Sequence, residues 1–103
     1  MIHVHDLAHC RAGDKGDISN ISAIAWDDAS WQLLRERLTT ERVRAAFAHI
    51  VKGQIERYEL PNLRALNFVM HGALGGGVTR SLAQDVHGKS LSALMLGIAL
   101  PPG

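Results

Sequence analysis

Apolar and polar residues alternate in two runs near the start of the chain, and this period-two pattern limits the fold more than any other feature of the sequence. Ile2, Val4, Ala8 and Cys10 fall on one parity over residues 2–12, with His3, His5, Leu7, His9 and Arg11 on the other. That is the signature of a half-buried strand. Gly13-Asp14-Lys15-Gly16-Asp17 then combines two glycines with three charges, which predicts a loop. The run from Ile18 to Trp26 reads as a second strand, so the two are expected to form an antiparallel pair.

The period changes after Trp26. Asp27 and Asp28 precede Trp31, Leu34 and Leu38 at helical spacing, predicting a helix over 28–38 with an acidic start that caps free N–H groups. Thr39 and Thr40 offer a second cap, and Val43, Phe47 and Ile50 form an apolar stripe that stops at Lys52-Gly53. Residues 54–60 read as a strand closed by Pro61-Asn62, and a further strand is expected over 64–71. Gly75, Gly76 and Gly77 predict a loop, 78–86 a weak strand, and Ser90 a cap for a last helix with Leu91, Leu94, Met95 and Ile98 on its apolar face. Strands that outnumber helices, with the helices grouped in the middle and at the end, predict an α+β architecture. Its expected form is a ferredoxin-like sandwich, a mainly antiparallel sheet with helices on one face.

Composition narrows the function classes. A chain of 103 residues is expected to form one domain over 1–103. Eleven Lys and Arg against ten Asp and Glu leave a formal charge of +1, with no basic patch for nucleic acid or an anionic membrane. One cysteine, Cys10, excludes an internal disulfide, and the first ten residues lack the basic head and apolar stretch of a signal peptide. The expected location is therefore cytoplasmic. Cys10 on the apolar parity is expected to be a buried thiol rather than a reactive one.

Several chemical motifs fail on inspection. Gly88-Lys89-Ser90 lacks the glycine that a phosphate loop needs five residues earlier, where Ala83 stands, and Arg80 occupies the third glycine position of a dinucleotide fingerprint begun at Gly75. No G-x-S-x-G elbow or H-E-x-x-H helix occurs. No cofactor is expected. His3, His5 and His9 share a parity, but His5 and His9 would stand about 13 Å apart on a straight strand, leaving His3 and His5 as the one local metal-ligand pair. Exposed histidines without a metal are the expected reading, and metal binding is the alternative.

The polar residues around the glycines make a better candidate. Arg11, Asp14, Lys15 and Asn20 surround Gly13 and Gly16, where small residues let backbone N–H groups approach an anion or polar ligand. Asn62, Asn67 and the loop Gly75, Gly76, Gly77 are expected to join them on one concave surface, with His71 and Gly72 nearby.

Cys10 to Asp17, then Asn20-Ile21, then Leu60-Pro61-Asn62-Leu63-Arg64-Ala65-Leu66-Asn67-Phe68 and His71 to Gly77 together resemble the C-terminal domain of the AtuA family, associated with acyclic terpene utilisation. Several separated motifs match in the same order over nearly the whole chain. The family pattern usually has a serine at the position of Ala12, so that hydroxyl is missing here. The resemblance implies a ferredoxin-like fold and a freestanding version of a domain often fused behind a larger one. It also implies a setting in the breakdown of branched acyl compounds through coenzyme A thioesters.

Three functional expectations follow. One is a small accessory subunit or binding domain that works with a separately encoded AtuA-type large chain, or as a homo-oligomer, and meets an acyl-CoA or another anionic small molecule. Another is a catalytic lyase- or hydratase-like component, with Asp14 and Lys15 as acid/base groups and Arg11 as an anion clamp. Metal binding through His3 and His5 is a third.

Overall fold

The computed structural model describes residues 2–15, 18–72 and 89–101. A short strand β1 (Ile2–His3) runs into a single helical turn α1 (Val4–Leu7), then into the long hairpin strands β2 (Ala8–Lys15) and β3 (Ile18–Ala25). Two helices follow, α2 (Asp28–Arg37) and α3 (Thr40–Ala46). Strands β4 (Ile55–Leu60) and β5 (Ala65–His71) flank a 3-10 turn at Pro61–Leu63, and α4 (Lys89–Leu96) leads to β6 (Ala99–Leu100).

Strands β2, β3, β5 and β4 form, in that order, a four-stranded sheet in which every neighbour is antiparallel. β1 and β6 make a separate two-stranded pair. The alternation legible in the sequence decides which face is covered. Ile21 and Ala23 of β3, with Leu66, Phe68 and Met70 of β5, are buried against Trp31 and Leu34 of α2, Val43 of α3, and Leu91 and Met95 of α4. At the C-terminal end of α2, Arg57 of β4 donates to the carbonyls of Arg35 and Leu38, and its guanidinium also pairs with Glu59. That contact ties an edge strand to the helical layer.

The expected antiparallel pair, the strand at 64–71 and the two middle helices all form; β3, α2 and β5 keep within a residue of their expected bounds, whereas β2 and the end of α3 do not. Caps explain the helix starts. The Asp27 carboxylate accepts the Ser30 N–H at 2.8 Å, and the Thr39 hydroxyl accepts the Arg42 N–H at 3.3 Å.

Four readings need correction. The first strand does not run unbroken over 2–12, because Val4 and Leu7, three apart, are both buried and so favour a helical turn. Asp6 reinforces that turn by accepting the His3 N–H at 2.9 Å. Second, Gly13, Asp14 and Lys15 continue β2 rather than forming a loop, since each has a cross-strand partner, Asn20, Ser19 and Ile18 respectively. Third, α3 ends at Ala46 and the chain turns through Ile50, so Gly53 is not a helix stop; it packs against β5 instead. Fourth, Ser90 stands inside α4 rather than before it, and Leu94 points partly to solvent while Leu91 and Met95 are buried. The expected strand over 78–86 and the loop at Gly75, Gly76 and Gly77 lie outside the described residues.

The caps also set the response to acid. Asp27 is held below its ordinary value of 3.8 chiefly by the Ser30 N–H, and Asp6 likewise by the His3 N–H. Both are more acidic folded than unfolded, so their stabilisation is present above the unfolded value and is lost as pH falls through the lower folded value. Unfolding measured against pH is expected to show stability declining on the acid side. Asp27→Asn, which keeps an acceptor without a charge to titrate, should make that decline shallower. An acid limb identical to the wild type would exclude Asp27 from it.

Candidate functional site

With the helices all on one side, the other face of the four-stranded sheet carries no helix among the described residues. Cross-strand register builds this face row by row. His9, Ile24, Ala65 and Leu60 form the first row, and Arg11, Ser22, Asn67 and Tyr58 the second. Gly13, Asn20, Val69 and Glu56 form the third, and Lys15, Ile18 and His71 stand in the fourth. These residues come from four strands and meet only because alternate positions of each strand share a face.

The centre of the face is polar and hydrogen-bonded. Asn67 donates through Nδ2 to the Ser22 hydroxyl at 2.8 Å. Tyr58 donates its hydroxyl to one carboxylate oxygen of Glu56, and the other oxygen pairs with His71 Nε2 at 2.5 Å. The Tyr58 hydroxyl, first, and then the His71 ring hold the Glu56 carboxyl below its usual range, while the same carboxylate raises the Tyr58 phenol. Arg11 and Asn20 are exposed beside this network.

One end of the face is apolar. Trp26, just past β3, is 60% exposed, and its ring lies against His9 with centroids 4.7 Å apart. Leu60 at 39% and Leu63 at 64% stand on the neighbouring β4 and turn. Tyr58 and Ile18 are also exposed large side chains on this face. Of the exposed large apolar side chains among the described residues, Leu94 of α4 alone lies away from this face and its rim.

The structure gathers some of the expected site residues and separates others. Arg11, Gly13, Asn20, Asn67 and the backbone position of Lys15 share the open face. Asp14 pairs with Ser19, whose neighbours on the same parity are core residues, so Asp14 and Lys15 occupy alternate rather than shared register positions. Asn62 sits in the 3-10 turn at the far end of β5. From there to the Lys15 end is about 20 Å of strand, so Asn62 does not converge with Gly13 and Lys15. Gly16, Gly75, Gly76 and Gly77 lie outside the described residues.

Ala12, where the family pattern usually has serine, pairs with Ile21 on the helix-side parity, so the absent hydroxyl does not belong to the open face. Cys10 is half-buried on that same side, and burial pushes its thiol up to about 12, consistent with an inert packing group. Sequence reading missed Ser22, Glu56 and Tyr58, and underused His71. Each has ordinary spacing in its own strand, and only the pairing of β3 and β4 with β5 could have found them.

The helix-backed antiparallel sheet with one open face defines the chain as a ferredoxin-like α+β protein. More particularly, it belongs to the family of the AtuA ferredoxin-like domain, whose model matches residues 2–101. Comparison with curated proteins and with solved structures gives no match. Among the described residues, no helix is long and apolar enough to cross a membrane.

Proposed function

We propose that the chain is an accessory domain that docks through its open sheet face onto a separately encoded AtuA-type large chain, in acyclic terpene or branched acyl-CoA catabolism. The observation that carries this reading is the make-up of the face: exposed Trp26, Tyr58 and Arg11 around a polar centre. Aromatic and arginine side chains of this kind supply most of the binding energy in protein interfaces, and satisfied polar groups fix their register. The family architecture supplies the partner, because related domains are often fused behind a larger chain. Docking would set Arg11, Asn20 and Asn67 against the large chain's acyl-thioester site, where an anionic ligand would meet the Arg11 fork. Its single-cysteine composition suits the cytoplasm.

Co-expression with the AtuA-type large chain encoded in the same genome tests this directly. The two are expected to co-elute in size-exclusion chromatography. Trp26→Glu and Tyr58→Glu, both exposed on the open face and outside the buried core, should each weaken the complex by roughly 30-fold or more, the scale of an interface anchor. Chains that fail to associate, or an affinity indifferent to both substitutions, would refute the docking reading.

A further inference from the structure

The geometry points to a divalent transition-metal site at His3, His5 and Asp6, separate from the open sheet face and independent of the docking reading. One ring nitrogen of each histidine and a carboxylate oxygen of Asp6 all lie within 4.8 Å of one another. The His5 Nδ1 stands 3.4 Å from one Asp6 oxygen, and the His3 Nδ1 stands 4.0 Å from the other. Two ligand atoms at about 2.1 Å from a tetrahedral zinc are about 3.4 Å apart, so the His5–Asp6 spacing already fits. His3, 4.0 Å from the other oxygen, must turn its ring to join the same ion.

The backbone that presents these three groups is held from behind. Val4 and Leu7 are buried in the core on either side of His5 and Asp6, and the Val4 N–H donates to the Ile98 carbonyl at 3.0 Å. β1 is paired with β6, with His3 opposite Ala99. Asp6 is itself oriented, because one oxygen accepts the His3 N–H while the other faces His5. A ligand carboxylate fixed by a backbone donor is the usual outer support of a metal site. The two imidazoles stack in nearly parallel planes, 6° apart with centroids 5.3 Å apart, so the rings must turn about their side-chain bonds for their in-plane nitrogen lone pairs to meet on one ion.

The chemistry of the set narrows the ion. Two imidazoles and one carboxylate suit zinc, cobalt or nickel, whereas magnesium and calcium prefer an all-oxygen shell. All three side chains are roughly half exposed, which leaves the remaining coordination positions to water or to a group from outside. The pattern H-x-H-D places the ligands on the strand-to-turn junction. A continuous strand would have kept Asp6 on the opposite face from both histidines.

Zinc chloride titrated into the full, untagged chain, followed by calorimetry, is the test. Saturable binding of one zinc per chain is expected, tighter than about 1 mM. Asp6→Asn retains an acceptor for the His3 N–H, so circular dichroism should stay unchanged while zinc binding weakens at least roughly tenfold, the scale on which ligand-sphere changes act. The double variant His3→Gln/His5→Gln should abolish it. Cobalt(II) in place of zinc should give visible ligand-field absorption in the wild type and lose it in the double variant. Zinc binding that survives in the double variant, at His9, His49, His71 or His87, would overturn the assignment, as would the absence of saturable binding in the wild type.

Discussion

Phe68→Ala is expected to lower the unfolding free energy by about 3–5 kcal/mol, a large share of the whole stability of a domain this size. Phe68 is fully buried in the second strand from the β4 edge, paired with Ile21 on one side and Arg57 on the other. Its ring is part of the core shared by the sheet and the helices, so its removal leaves a void that neither layer can close alone. Urea unfolding followed by the fluorescence of buried Trp31 gives the value. A loss under about 1 kcal/mol would mean that the helices collapse onto the shortened side chain. Such a result would contradict the tight packing argued for this sheet.

The second large effect is expected at Gly53. A Cβ there would stand 2.7 Å from the His71 carbonyl oxygen and 3.1 Å from the His71 carbonyl carbon and Cβ. The Gly53 N–H donates to that same carbonyl at 2.9 Å, so the strand cannot move away without losing the bond. Gly72, at a φ of +71°, is equally restricted, since a Cβ there would stand 3.2 Å from the Gly53 nitrogen. Gly53→Ala should therefore cost about 1–3 kcal/mol and displace His71 from Glu56. Denaturant unfolding reads the first effect, and the chemical shift of the His71 ring reads the second. Wild-type stability together with an unmoved His71 signal would refute the close approach.

These two positions also show what local patterning could and could not reveal. Phe68 was legible because Leu66, Phe68 and Met70 alternate with Asn67, Val69 and His71, and a period of two assigns faces without knowledge of the partner strand. The cap at Asp27 was legible for the same reason, since a cap is satisfied within three residues. Gly53 resembled a helix stop because its real constraint comes from β5, eighteen positions away in the chain. The turn at Val4–Leu7 was hidden because Ile2, Val4, Ala8 and Cys10 also fit a strand, and only burial of both Val4 and Leu7 breaks the tie.

The candidate face was half legible. Arg11, Gly13, Asn20 and Asn67 were chosen for their chemistry, and the register sets them in adjacent rows. Asn62 was chosen on the same grounds but sits beyond the opposite end of β5, because a residue type carries no information about position along a strand. Tyr58 and Glu56 were missed because β4 is a short edge strand whose polar alternation resembles that of any solvated hairpin. His5 was recognised as a metal candidate, but Asp6 entered the set only through the helical turn.

The pairing of Ile2 with Leu100 brings the first and last described strands to one corner of the molecule, with backbones about 5 Å apart. Topologically the fold is nearly a closed ring. A tether leaving this corner from either end starts from almost the same point, so joining the domain ahead of or behind another polypeptide demands no rearrangement of its interior.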